Sequence, residues 1–424
     1  MAGESDSVFD PMAEIGGQAE TASDPAFDAG AATEVTTRSW FERLGDAVVG
    51  VLIGLVLVLA ACGGLFWNEG RAVQTSRSLA EGSGLVVSAD SSRIDPANEA
   101  KLVHVAGELK VGARLSDPDL LVDAHAARLV RMPEMYQWKE DRRTETRKNV
   151  GGSEETVTHY SYSRTWSDRR IDSGQFRQRT NHENPQMRYG KFETAARDAS
   201  LGAYRPGSGA LERLPARETL PVDPAVAERL RGKLGATPVH VVDGRIYIGN
   251  DPGSPRVGDM RVSYHVAPVG PVSLIGRQAG DDLQKFQTEA GDRLLMGASG
   301  LVPAVDMFQA AEQENRIFTW ILRILGVVIM WAGWYLVLRP IAVVGDLVPF
   351  IGSVLAAGAG IVAFLLTAAT APVVMAIAWL WYRPLLSIGL IAAGGAVAYG
   401  IRVLAHRKAA RVPALAVATG SAPA

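Results

Sequence analysis

The stretch Ala47 to Trp67, AVVGVLIGLVLVLAACGGLFW, contains no charged residue. As a helix of about 21 residues it would extend roughly 31 Å, the thickness of a bilayer's hydrocarbon core. A second apolar run from Ile317 to Leu338 is broken only by Arg323, and a third apolar region extends from Ile341 to Leu404. Between the first run and the second lies a polar segment of some 250 residues, so the chain is a membrane-anchored domain.

A cleaved signal is the competing reading, since Leu59-Ala60-Ala61-Cys62 has the look of a lipoprotein cleavage box. A signal's leader is short and basic, whereas here the first Arg or Lys is Arg38, so Cys62 reads as a small apolar residue of a retained helix. It is also the only cysteine, so no disulfide can form within the chain and cysteine-type zinc sites are excluded. The large domain must hold together by burial alone.

The expected fold is an α+β membrane protein with four transmembrane helices and a large, mainly β extracytoplasmic domain inserted between the first and the second. Residues 1–46 read as a disordered acidic cytosolic tail, carrying Glu4, Asp6, Asp10, Glu14, Glu20, Asp24, Asp28 and Glu34 among small residues. The first span is 47–67. Residues 68–316 form the lumenal or periplasmic β domain, because strand-like runs at Leu102–Leu109, Thr156–Trp166, Arg245–Ile248, Met260–Val266 and Val272–Ile275 alternate with turn signals such as Asp243-Gly244. A helix is expected at Pro224–Leu234 behind Asp223, and another at Pro303–Arg316 leading into the second span, 317–338. Pro340, Asp346 and Pro349 make 339–352 an interfacial linker, leaving spans at 353–380 and 385–404 and a cytosolic tail at 405–424. Arg38, Arg43, Arg339, Arg402, Arg407, Lys408 and Arg411 lie at one set of span ends, against Arg71, Arg77, Arg316 and Arg383 at the other. The bias places both termini in the cytosol.

Signatures of catalysis are absent from the sequence. The seven histidines fall in no HExxH or other ligand pair, and there is neither a phosphate-cradling GxxxxGK[ST] nor a GxSxG elbow. The expectation is no enzyme, no cofactor and no metal. Basic doublets such as Arg142-Arg143 sit among acids, which argues against nucleic acid.

Candidate partner-binding or packing residues are few. On the run 159–166 alternate positions bring Tyr160, Tyr162, Arg164 and Trp166 to one strand face; with Trp138 they form either a binding stripe or the packed face of a sheet. Gly50 and Gly54 form a GxxxG pair that admits a close helix, either from a second copy or from within the chain; Ala356 and Gly360 repeat the spacing. Arg323, about six residues inside the second span, either finds an interhelical partner or snorkels to the interface.

Several blocks together resemble the LUMA (transmembrane protein 43) family. They include NEGRAVQTSRSLAEGSGLVV from Asn68, KLVHVAGEL from Lys101, LSDP from Leu115, EMYQW from Glu134 and YSYSRTW from Tyr160. VGDMRVSY from Val257, GRQAGDDLQKF from Gly276 and WYRPL from Trp381 continue the series. The resemblance implies four spans with a large lumenal or periplasmic loop, no known catalytic activity, and in animals a scaffold at the endoplasmic reticulum and inner nuclear membrane that self-associates and binds emerin and lamins. The Ala-, Arg- and Gly-rich composition points instead to a bacterial cytoplasmic membrane, where such partners would be absent. Val103 to Pro185 is also similar to the membrane-adjacent domain of GIDE-type mitochondrial ubiquitin ligases, but without RING cysteines ligase activity is excluded. The expected function is a membrane scaffold, LUMA-like, whose β domain binds a protein or envelope component. Its expected partners are membrane lipid, further copies of itself and other membrane proteins. The alternative is a transport or channel subunit using Arg323.

Overall fold

The computed structural model describes residues 32–385 apart from 236, together with scattered positions between 387 and 402. Strand β1 (Ala32–Arg38) is followed at once by helix α1 (Trp40–Leu85). Ser39 caps that helix through the Glu42 N–H while the Glu42 carboxylate accepts from the Ser39 N–H, a reciprocal box that fixes its start. Past the apolar run, α1 continues unbroken for some 18 residues, because a buried stripe at Ala61, Leu65, Glu69, Ala72, Leu79 and Gly82 keeps helical spacing throughout.

Next come β2 (Val87–Ala89), β3 (Leu102–Val111), β4 (Leu115–Asp117), β5 (Val122–Ala124), β6 (Ala126–Lys148) and β7 (Glu154–Ser167). They are followed by β8 (Phe192–Ala195), β9 (Ala199–Leu201), α2 (Ser208–Leu211), β10 (Glu218–Leu220), α3 (Ala225–Leu234), β11 (Val239–Val242), β12 (Arg245–Ile248), β13 (Met260–Pro268) and β14 (Gly270–Ala279). Short strands β15 (Asp282–Gln284), β16 (Phe286–Gln287), β17 (Arg293–Leu294) and β18 (Met296–Ser299) lead into α4 (Ala304–Gly345) and α5 (Pro349–Tyr382). The result is α+β and, among the described residues, three helices, α1, α4 and α5, are long and apolar enough to cross a membrane. The expected fourth span, 385–404, falls largely outside the described residues.

One large sheet runs β1-β7-β6-β13-β12-β11 and the other β15-β14-β3-β2, with β8 and β10 joining the first and β9 and β18 the second, while β4–β5 and β16–β17 form separate two-stranded pairs. Their apolar faces meet in one core containing Val103, Val105, Leu129, Val262, Tyr264 and Leu274. The β11–β12 hairpin turns on Asp243 and Gly244, both at positive φ, as a two-residue primed turn requires. Where sheets and helices join, a second cluster packs Leu79 of α1 and Phe308 of α4 against Leu102 and Ile275. His104 is buried there and donates through Nε2 to the Val302 carbonyl at 2.9 Å, beside the start of α4.

Three expectations need correcting. The 1–46 segment is not a separate tail up to the span: residues 32–38, with three Thr and one Val, pair along their whole length with β7. The linker 339–352 shrinks to the three residues 346–348, since Pro340 lies inside α4; a proline removes a single ladder bond, which a helix packed on neighbours tolerates. Strand β6, 23 residues long, was not expected at all. Its run of charges after Trp138 hides the alternation, and it persists because β7 matches it residue for residue from Met135 to Lys148.

Strands β1, β7 and β6 together form a blade that leaves the domain near Trp138, and its tip reaches the far end of the helical bundle. At Gly152, φ is +79° and an added Cβ would stand 2.5 Å from the Trp40 ring. The Gly152 carbonyl accepts from Arg43 at 2.7 Å, and the Gly151 N–H donates to the Leu347 carbonyl at 3.2 Å. The arm from Trp138 to the tip spans about ten residues, roughly 33 Å. Asp141, Arg142, Arg143, Glu145 and Arg147 are exposed along it. Charges cannot share hydrocarbon with the helices, so a bilayer around the bundle and a docked blade exclude one another.

Spin labels at Val150→Cys and Leu347→Cys, in a Cys62→Ala background, are therefore expected to couple strongly in detergent and to lose that coupling in bilayers. Equal coupling in both would show that the bundle does not cross the membrane as these helices suggest. A second expectation concerns pH. Burial holds the His104 imidazole below its ordinary value of 6.5, opposed in part by the Val302 hydrogen bond. The unfolded chain then takes up a proton that the folded chain refuses, so stability present above about pH 6.5 is lost as the pH falls through and below it. Thermal unfolding in detergent from about pH 7 to about pH 5 should show a flatter profile for His104→Gln than for wild type.

Candidate functional site

The polar cluster at the domain end of the bundle is assembled from three helices. Because α1 and α4 run antiparallel, a residue just beyond the first apolar run meets one just inside the second. Glu69 is 1% exposed, and its two carboxylate oxygens accept from Arg323 Nε and Nη2 at 2.6 and 2.8 Å. From α5, Trp379 donates its indole N–H to Glu69 Oε2 at 2.8 Å. Two parallel N–H···O bonds of this kind fix direction as well as distance.

Neighbouring groups extend the layer. Asn68 donates to the Thr319 carbonyl at 3.1 Å; Arg71 donates to Asn315 Oδ1 at 3.0 Å and to Thr319 Oγ1 at 2.9 Å; and Asn315 donates to the Ala72 carbonyl at 3.1 Å. The Arg323 guanidinium lies 4.8 Å from the Trp320 ring centroid, and Arg71 sits at the same distance from Phe318. Aromatic rings beside polar groups at this depth suit a membrane–water boundary.

A second ionic layer closes the other end. Asp346, 1% exposed, pairs with Arg43 of α1 and, at 2.7 Å, with Lys148 of the blade; Arg43 also reaches Glu154 at 3.0 Å. About 26 residues of α1 separate Arg43 from Glu69, roughly 39 Å of helix, close to the thickness of a bilayer including part of its headgroups.

Between the two layers the helices touch through small residues. A Cβ on Gly54 would stand 2.6 Å from the Gly333 carbonyl oxygen, and Gly50 faces Leu336 of α4. This pair is therefore occupied within the chain, and the groove it offered to a second copy is filled by α4. Gly360 receives the Trp331 indole N–H on its carbonyl at 3.4 Å, again between α4 and α5.

The aromatic stripe is packed as well. Tyr160 and Tyr162 are buried with Trp138 and Phe176 at the root of the blade. Tyr162 stacks on His182 with centroids 4.0 Å apart, and Arg164 lies 5.2 Å from the Trp138 ring. Trp166 packs against Tyr136 under the Arg261 guanidinium. The stripe is one continuous face, since Tyr160, Tyr162, Arg164 and Trp166 oppose Arg142, Glu140, Trp138 and Tyr136.

Reading the sequence alone missed Glu69, Trp379 and Asp346 as members of these layers. The signal for Glu69 was present, since antiparallel spans put a residue two places past one run level with a residue six places inside the next. Among the described residues no group of three His, Cys, Asp or Glu side chains is placed to hold a metal.

The family model "Transmembrane protein 43" matches residues 135–384. Human transmembrane protein 43 is 34% identical over 363 residues, covering 82% of this chain and 88% of that protein. The mouse protein is 32% identical over 362 residues, with the same coverage. The fruit-fly homologue is 28% identical over 359 residues, covering 81% of this chain and 91% of the relative. No solved structure matches.

Removing one partner of the buried pair strands the other. Glu69→Leu should destabilise the bundle by about 3–5 kcal/mol, whereas Glu69→Leu with Arg323→Leu should recover much of that loss. Thermal unfolding in detergent across the four-member mutant cycle measures the coupling; additive losses would mean that the two side chains act independently.

Proposed function

This chain belongs to the transmembrane protein 43 family, and from that premise we propose that this integral membrane protein is a non-enzymatic scaffold that organises membrane protein complexes. Its β domain engages a protein or envelope component, and further copies of the chain join the assembly. The termini face the cytosol and the domain the opposite compartment, in keeping with the bias of basic residues. In a bacterium the site of action is the cytoplasmic membrane; in a eukaryote it is the endoplasmic reticulum and inner nuclear membrane.

The observation that carries this reading is the pairing of Arg323 with Glu69 among the described residues of the bundle. A carrier or channel needs polar groups free to meet its cargo between the interfaces. Here Arg323 is taken up by Glu69. Thr367 and Thr370 bond carbonyls of their own helix, and α1 closes on α4 at Gly54 and Gly333. What supports partner binding is the blade, which carries Arg142, Arg143 and Arg147 into solvent on strands only partly covered.

Affinity capture of the full chain in mild detergent tests the reading. Wild type should retain a defined set of membrane or envelope proteins, and a variant with Arg142, Arg143 and Arg147 changed to Glu should lose most of them while keeping its thermal unfolding. If nothing is retained specifically by wild type, the scaffold fails; if the variant keeps every partner, the blade is not the contact surface.

A further inference from the structure

A groove between α4 and α5 opens toward the lipid beside the Glu69 layer. It has a volume of about 490 Å³ and is lined by Ile324, Val327, Val328, Pro372, Met375 and Ala376 below Arg323 and Trp379. It runs some eight residues along each helix, about 12 Å, nearly the depth of one leaflet's acyl layer. Its floor is almost wholly apolar, and Pro372, which cannot donate to the helical ladder, faces it.

At its upper end the groove shares Trp320, Arg323 and Trp379 with a second, polar cavity of about 250 Å³, which Arg316, Arg383 and Glu312 also line. The charges there are unevenly satisfied. Glu69 is held by Arg323, and Glu312 lies 4.0 Å from Arg316 on the same exposed helix face. Among the described residues no ion pair engages Arg383. A positive rim at headgroup level, continuous with an apolar slot at acyl level, is the pattern that recognises an amphiphile with an anionic head.

We propose that this continuous site binds one anionic glycerophospholipid, its phosphate at Arg316 and Arg383 and one acyl chain in the α4–α5 groove. The alternative occupant from the chain itself is the segment 385–404. Against it, α5 ends on the opposite side: the Tyr382 ring packs on Gly70 of α1, and the Tyr382 carbonyl accepts from Arg77. Tyr382, the last residue of α5, is thus engaged by α1. The site goes beyond the scaffold reading and does not depend on any protein partner being found.

The full chain in nanodiscs of equal phosphatidylglycerol and phosphatidylcholine provides the test. With a photoreactive residue at Val328, the crosslinked lipid should be enriched at least tenfold in phosphatidylglycerol relative to the same probe at Val373, which is exposed, does not line the groove and lies about as far below Trp379 as Val328 lies below Arg323. Arg316→Gln with Arg383→Gln should abolish that enrichment, and native mass spectrometry should show one retained phosphatidylglycerol on wild type and none on Val328→Trp. A crosslink from Val328 to a peptide within 385–404, a crosslink to another protein, or equal headgroup composition at the two probe positions would overturn the proposal.

Discussion

A single carboxylate, buried at the end of an apolar bundle, holds three helices in register. Left unpaired, Glu69 would be a heavy liability there, because desolvating a charge costs several kcal/mol. Shared between the Arg323 guanidinium and the Trp379 indole, it becomes a device of specificity. Sliding α4 by one residue would break both bonds to Arg323 while leaving the apolar contacts little changed, so the ion pair, more than the van der Waals surface, selects one alignment. The Gly54–Gly333 approach then sets how close the helices lie. With register and distance both determined, the polar extensions of α1 and α4 emerge side by side, and Leu79 and Phe308 meet the sheet carrying Leu102 and Ile275 as one surface. The domain is thereby fixed to the bundle by a packed junction.

The β domain solves a similar problem without disulfides. Asp117, fully buried, accepts from Arg131 at 2.8 Å and from the Tyr264 hydroxyl at 2.7 Å, tying β4, β6 and β13 together. Burial, reinforced by the neighbouring carboxylate, pushes the Tyr264 hydroxyl far above its ordinary value, so it serves as a permanent donor. Around this network the two sheets close over a continuous apolar core. The domain and the bundle therefore rest on one design: a buried carboxylate whose side-chain partners come from different elements.

The two ionic layers stand in tension over the blade. The layer at Glu69 is made within the bundle and is compatible with a surrounding bilayer. The layer at Asp346 draws on Lys148 and, through Arg43, on Glu154, both from the blade. In water or detergent the clasp pairs Asp346 with both Arg43 and Lys148, and Arg43 with Glu154 as well. In a bilayer those two side chains still have each other, which is what makes release of the blade affordable. Because β1 runs directly into α1, parting β6 and β7 from the bundle would also strip β1 from β7.

Much of this was legible in the sequence because the relevant physics is local. Apolar runs of bilayer length, the second broken only by Arg323, mark α1, α4 and α5; the Asp243-Gly244 turn and the alternating apolar positions mark β12, β13 and β14. A single cysteine rules out a disulfide within the chain whatever the fold. What the tertiary structure alone decided is which distant residues meet. That Arg323 faces Glu69, that the Gly50–Gly54 groove is filled from within the chain, and that the aromatic stripe is buried under Arg164 and Arg261 depend on helix register and cross-strand pairing. Strand β6 is the clearest case. Its charged half has no local preference strong enough to announce a strand, and it exists because β7, itself continued by β1, supplies partners that no window of the sequence contains.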